Sequence, residues 1–174
     1  MEAQDLRALQ APLKQQYRDD PSRATVTLRA SGNLSGAGVS CRVETGRALV
    51  EAGLHPATGG SGLQACSGDM LLEALAACAG VTLRAVATAL EIPFRGGTVD
   101  VEGDLDFRGT LGVSKEVPVG FQTIRVDFKL DSEATPEQLE TLLKLTERYC
   151  VVLQTLRAPA AISVVTKAKT ISHG

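Results

Sequence analysis

The chain has 174 residues, 44% hydrophobic and 22% charged, with 18 basic residues against 20 acidic for a formal net charge of −2. That balance excludes wholesale disorder, and a chain of this length buries a sizeable core without a metal or disulfide staple. With 3% aromatic residues, no tryptophan and no basic excess, it offers neither an electrostatic footprint nor a stacking platform for nucleic acid.

The N-terminal stretch MEAQDLRALQAPLKQQ has acids near its start and no apolar run, so no signal peptide is expected there. Leu6, Leu9 and Leu13 at helical spacing predict a short amphipathic helix over 3–17, against which Pro12 works. Residues 1–20 are expected to be an N-terminal helical extension and 21–174 the main domain. Ala24 to Ala30 (ATVTLRA) alternates as a half-buried strand does, and SGNLSGAG at 31–38 has loop composition. Val39 to Glu44 and Ala48 to Glu51 predict two further strands across a Thr45-Gly46-Arg47 turn. The glycine-rich stretch 53–67 should be a loop feeding a helix.

Ser67 is the expected N-cap of that helix, with Asp69 in the first turn, where the dipole favours an anion. The following run, MLLEALAACAGVTLRAVATAL, is apolar almost all round and spans ~35 Å as a helix. Glu73 and Arg84 would be costly at the centre of a bilayer, so the expectation is a buried helix in a soluble, cytoplasmic protein with no membrane partner. Pro93 and Gly96-Gly97 should end it.

Thr98 to Phe107 and Thr123 to Leu130 alternate with period two and predict strands, joined through the turn-rich GTLGVSKEVPVG. Thr135-Pro136-Glu137 opens a second helix, with Thr135 as N-cap and Pro136 at the first helical position. Leu139, Leu142, Leu143, Leu145 and Val152 give it an apolar face to about Leu156. After Pro159, Ala161 to Thr166 should form a last strand. The order β-β-β-α-β-β-α-β is an α+β pattern. So long an apolar helix is hard to cover within one subunit, which predicts a dimer sharing two such helices under a combined sheet.

Several chemistries lack their residues. Two histidines occur, His55 in a loop and His173 near the C-terminus, and GxSxG is absent, which leaves a nucleophile–histidine pair little support. No GxGxxG or Walker sequence suggests a nucleotide, and Asp104 and Asp106, on one strand face, should be solvated. Cysteines stand at 41, 66, 78 and 150 with no CxxC pair and no Cys/His cluster, so no thioredoxin-type motif and no zinc site is expected, and no cofactor is implied.

The thiols remain. Cys78, between Ala77 and Ala79, has space around its sulfur; Cys150, in ERYCVVLQTL, falls late in the second helix. From composition alone each reads by default as a small core residue, since free cysteine is among the most buried types. Cys41 alternates within a strand and reads as structural. Cys66 stands just ahead of the Ser67 cap, where helix N–H groups favour a thiolate.

The run Asp69 to Cys78, DMLLEALAAC, resembles the helix of OsmC/Ohr proteins, in which an acidic residue opens the helix and Ala-Ala-Cys or similar follows. A second cysteine about 70 residues on, in TERYC ending at Cys150, is similar to the family's second cysteine, and the β3-α-β2-α-β order agrees over roughly 24–166. The resemblance implies an intertwined homodimer with long central helices and active sites at the subunit interface. It further implies a thiol-dependent hydroperoxide reductase acting in oxidative-stress defence, with Cys78 as peroxidatic thiolate, Cys150 as resolving thiol and a dithiol-type reductant. An apolar pocket would suit an organic hydroperoxide.

Three departures stand out. The family's Pro-Glu at the helix start is Gly68-Asp69 here. The early loops 31–38 and 53–67 hold no arginine to sit over the thiolate, leaving Arg47 and Arg42 as substitutes. Val151-Val152-Leu153 follows Cys150 where relatives often have proline and then serine. Without an arginine, the mid-helix apolar setting should raise the Cys78 pKa. Two other functions fit the same residues. One is a non-catalytic OsmC-like dimer binding a small hydrophobic ligand; the other is redox chemistry at Cys66 with Cys78 as its partner.

Overall fold

The computed structural model describes residues 50–112 and 114–166 in full, the backbone of 31–33, 40–44 and 49, and scattered positions between 2 and 19. The described positions of the N-terminal stretch from Ala3 onward, among them Gln15 and Asp19, are helical, and the Gln15 amide donates to Asp19 at 2.9 Å. The strand expected over 24–30, the turn at 45–47 and Arg47 itself lie outside the described residues.

Three antiparallel strands, β1 (Ser31–Asn33), β2 (Ser40–Glu44) and β3 (Leu49–Gly53), are joined by a two-residue parallel strand, β4 (Ala65–Cys66), in the order β1-β2-β3-β4. Residues 31–33 therefore depart from the expected loop: Gly32 stands opposite Val43, and ladder hydrogen bonds supply what the Ser-Gly-Asn composition does not. In the loop after β3, His55 accepts the Ala57 N–H on Nδ1, capping a 3-10 turn over Pro56–Thr58, and its ring stacks on Phe107 at 5.0 Å.

The long helix α1 runs Ser67–Ala89. Its N-cap is Cys66, not the expected Ser67. Cys66 pairs with Gly53 as the end of β4, so it is held extended at φ −82°, ψ 131°, and the first helical residue is Ser67. The other end closes where Glu91 takes a left-handed φ of 56° and delivers Ile92 into the core ahead of Pro93.

Strands β5 (Gly96–Leu105) and β6 (Phe121–Asp131) form an antiparallel hairpin in register from Gly96–Asp131 to Asp104–Thr123. Gly97, at φ 147°, lies where a Cβ would come within 2.2 Å of the Lys129 carbonyl oxygen, so no other residue fits the close approach. Val99, Val101, Ile124, Val126 and Phe128 face inward, while Lys129 meets Asp100 at 2.6 Å on the outer face, where Arg125 also pairs with Glu102 and Asp104. The expected strand stops short of Phe107: Asp106 accepts the Arg108 N–H at 3.0 Å and turns Phe107–Thr110 into a single helical turn.

Helix α2 (Pro136–Tyr149) begins as the sequence foretells. Gln138 N–H donates to Thr135 Oγ1 at 3.3 Å and Thr135 N–H to Gln138 Oε1 at 2.9 Å, a reciprocal capping box. It does not continue to Leu156. Cys150 is extended, at φ −71°, ψ 106°, and a separate helix α3 (Val151–Arg157) follows. No strand forms over 161–166, where Ile162, Val164 and Val165 are 86%, 88% and 77% exposed. A strand needs a neighbour to hydrogen-bond, and among the described residues none lies beside this one.

Two packing centres bind α1 to the rest. Leu83, Val86, Ala87 and Ile92 close on Leu142 of α2; Leu75 and Ala79 close on Cys150. The buried residues of α1 thus form one stripe, leaving Leu71 exposed and Val81 71% exposed. The helix has the length and composition of a membrane span, but one side of it is occupied by the hairpin and α2.

Candidate functional site

Cys78 sits half-buried in the middle of α1, one residue from Ala79, whose methyl packs in the same centre as Cys150. Cys150 is fully buried at the junction of α2 and α3. The two thiols, 72 residues apart in sequence, lie within hydrogen-bonding reach of each other.

The helix break makes the site. Cys150 N–H still donates to Thr146 O, and Gln154 N–H to Cys150 O, both at 2.9 Å, so the backbone stays satisfied through the kink. The Gln154 side chain donates to the Glu147 carbonyl at 2.7 Å and covers one of the acceptors freed at the end of α2. Tyr149, Cys150 and Val151 could each continue a helix. Burial of the Cys150 side chain between Leu75 and Ala79 accompanies the turn, which leaves the first N–H groups of α3 unused within the helix and directed at Cys78.

Those groups set the charge of the two sulfurs in opposite directions. Burial pushes the Cys78 thiol up, but the Val152 N–H, the Cys150 thiol, the Val151 N–H and the Thr82 hydroxyl together outweigh it, and its pKa lies below the ordinary 9.0. For Cys150 burial dominates; the Leu153 N–H opposes it, the neighbouring Cys78 adds to it, and the pKa is raised. The lower-pKa sulfur is thus Cys78, with Cys150 as its protonated hydrogen-bond donor. This corrects the expectation that a mid-helix apolar position raises Cys78: the donors come from another helix and from Thr82 one turn on, and sequence reasoning weighed only the cysteine's own surroundings.

Asp69 is exposed in the first turn of α1. Nine residues separate it from Cys78, two and a half turns, which places them on opposite sides of the helix and about 13 Å apart along its axis. Within the chain Asp69 is not brought to the sulfur. Arg47 lies outside the described residues, and so does the side chain of Arg42. Cys66, at the N-cap, is a free thiol whose sulfur lies toward Gly68.

A cavity of about 580 Å³ opens along β6, lined by Leu75, Val126, Phe128 and Leu153 together with the polar Gln122 and Asp127; neither cysteine of the pair lines it. Glu147 and Arg157 form an ion pair at 2.8 Å and also contribute to its wall. Leu75 and Leu153 belong both to this wall and to the packing around Cys150. The arrangement brings two thiols of opposite pKa tendency into one apolar packing centre.

The sequence profile of the OsmC-like protein family matches residues 60–165, a span that includes α1, the hairpin, both cysteines of the pair and α3. The chain belongs to the OsmC-like family. Its fold is similar to that of an OsmC-like protein from Mycoplasma pneumoniae, with TM-score 0.64 and 16% identity over 77% of this chain and 89% of that one. It also resembles an organic hydroperoxide resistance protein OsmC from Legionella pneumophila (TM-score 0.60, 17% identity, 76% and 90% covered). A third likeness is to an organic hydroperoxide resistance protein from Elizabethkingia anophelis (TM-score 0.59, 17% identity, 78% and 91% covered). No curated protein matches the chain in sequence. At such identities these likenesses speak for the shared α+β fold.

Proposed function

We propose that this OsmC-like protein is a thiol-dependent hydroperoxide reductase in which Cys78 attacks the peroxide and Cys150 resolves the product. The observation that carries this reading is the opposite tendency of two adjacent sulfurs, one favoured as thiolate and the other held as thiol. The Cys78 thiolate attacks the distal oxygen of ROOH, the O–O bond breaks, and RO⁻ takes a proton from solvent to leave as the alcohol. Cys78 becomes a sulfenic acid. The Cys150 thiol then attacks that sulfur, releasing water and forming a Cys78–Cys150 disulfide, and a dithiol reductant returns both to thiols by exchange. The apolar side chains packed around the pair, Val99, Val101, Val152 and Leu153 among them, favour an organic hydroperoxide over hydrogen peroxide.

The protein works as a homodimer in this reading. The uncovered face of α1 at Val81 and the unpaired, exposed β-branched segment at Ile162, Val164 and Val165 support it, because both expose apolar surface that a second copy would cover. Asp69 and Arg47 would then act across or near the subunit boundary. A chemistry that regenerates thiols needs a reducing compartment, so the cytoplasm is the proposed location and oxidative-stress defence the role.

The test is a stoichiometric pulse of an organic hydroperoxide on the reduced protein, followed by mass spectrometry and peptide mapping. Rapid formation of a Cys78–Cys150 bridge, abolished in Cys78→Ser, is expected. A protein that stays reduced would overturn the reading in favour of a dimer that binds a small hydrophobic ligand; a bridge through Cys66 would move the chemistry to the start of α1.

A further inference from the structure

We propose that Gln154 is a positioning residue for the resolving thiol: its side-chain amide takes the Glu147 carbonyl, holds the helix open at Cys150 and so keeps the Cys150 sulfur in the packing centre it shares with Cys78. The inference rests on the reading of Cys78 and Cys150 as the reacting pair and assigns a function to the break between α2 and α3.

An α-helical bond from the N–H of one residue to the carbonyl four before it spans the dihedrals of the three residues between them. Cys150 is extended, at ψ 106°, so every such ring that contains it is open. The carbonyls of Glu147, Arg148 and Tyr149 thereby lose the N–H groups of Val151, Val152 and Leu153. The two rings that only end at Cys150 do close: its N–H donates to Thr146 O, and the Gln154 N–H donates to Cys150 O. Straightening the chain into one helix over 136–157 would regain the three lost bonds, and Gln154 removes that gain at the first of them. Its Nε2 donates to the Glu147 carbonyl at 2.7 Å, reaching back seven residues across the break to the acceptor that Val151 would use in a straight helix. Arg157, three residues on and on the same face of α3, pairs with the Glu147 carboxylate at 2.8 Å. That ion pair is 57% and 46% exposed and contributes little, which leaves the amide as the effective tie.

The break decides where the second sulfur lies. Cys150 is fully buried against Leu75 and Ala79 of α1, and Cys78, next to Ala79 in the chain, packs on the same centre. Val152, Leu153 and Leu156 of α3 close around it. A straight helix would redirect α3 and draw these side chains away, so packing also resists straightening. The share of one exposed hydrogen bond is therefore severalfold, not total.

The experiment equilibrates the protein with mixtures of reduced and oxidised glutathione and reads the Cys78–Cys150 bridge by acid quench and peptide mass spectrometry, in wild type, Gln154→Met and Gln154→Lys. Two protein thiols give up two protons and two electrons as their S–S bond forms, and oxidised glutathione is cleaved to two glutathione thiols, so the constant reports how closely the protein sulfurs are held. Glutamine, methionine and lysine have similar helix propensities; methionine loses the donor and lysine keeps one on an unbranched stem. Gln154→Met should bridge with a constant roughly 3–5-fold below wild type, the effect of losing one hydrogen bond, and Gln154→Lys should stay within about 1.5-fold. In the reduced protein the Cys150 Cα carbon resonance should move toward its helical value in Gln154→Met and not in Gln154→Lys, a signature that general loss of stability would not give. Equal constants in wild type and Gln154→Met overturn the proposal, as does a lysine variant as weak as the methionine one or an unmoved Cys150 resonance in Gln154→Met. A wild-type protein that bridges with glutathione but not with an organic hydroperoxide would overturn the proposed function and leave this result standing.

Discussion

Removing the Cys150 sulfur tests the electrostatics of the pair most directly. In Cys150→Ala the Cys78 thiolate loses its S–H donor. Hydrogen bonds to charged groups contribute ~1.5–3 kcal/mol net, and a thiol is a weak donor, so about 1 kcal/mol is the fitting figure. At pH values well below the Cys78 midpoint that corresponds to roughly 5-fold less thiolate. The N–H groups of Val152 and Val151 and the Thr82 hydroxyl remain, so the loss is partial. Cys150→Ser replaces the thiol with a stronger donor of nearly the same size and should keep Cys78 alkylation at or above the wild-type rate. Iodoacetamide rates on the Cys78 peptide should therefore rank serine at least equal to wild type and alanine about 5-fold slower. With an organic hydroperoxide, both variants should accumulate a Cys78 sulfenic acid that dimedone traps, with no internal bridge. An alanine variant that alkylates as fast as wild type would refute the donor role of Cys150, and a serine variant as slow as alanine would show that shape, not hydrogen bonding, matters at this position.

Four further outcomes are expected. Leu142, buried where α2 meets Leu83, Val86 and Ile92, should cost about 2–5 kcal/mol on truncation to alanine, read as a lowered urea midpoint at unchanged m-value. Thr135→Ala removes one half of the capping box of α2 and should cost about 1 kcal/mol in the same measurement. Because the folded-state pKa of Cys78 is depressed, its contribution to stability is fully present above the unfolded value of 9.0 and is lost as pH falls through the folded value. Wild type should thus gain stability over Cys78→Ser as pH rises toward 9.0, and parallel curves would contradict the assignment. Asp106 is held down to about 2 by the Arg108 guanidinium and backbone N–H, so its carboxyl should titrate by NMR near that pH and move up toward the usual carboxylate range in Arg108→Ala.

The limits of the sequence are seen at particular residues. Period-two alternation located both strands of the hairpin, because a sheet with one face on a helix and one in water must alternate. Thr135-Pro136 located the start of α2, because capping is chemistry between residues three apart. The end of that helix was invisible: the turn at Cys150 comes with packing against Leu75 and Ala79, residues more than 70 positions away, and no local propensity encodes it. The same holds for the cap of α1, where pairing of Cys66 with Gly53 moved the boundary by one residue.

For the candidate site, the residue types and their order along the chain were legible. Two cysteines, one in a long apolar helix with small neighbours and one after a second amphipathic helix, follow from sequence and from its resemblance to OsmC-like proteins. The resemblance also named Cys78 as the thiolate, but the direction of its pKa shift was not legible, since its apolar neighbours pointed upward. That depends on donors supplied by Val151 and Val152 across the helix break and by Thr82 from the next turn, against the burial that both sulfurs share. Hydrophobic pattern is a property of neighbours along the chain, so the sequence determines elements and core faces; a pKa is a property of neighbours in space, and only the tertiary structure decides it.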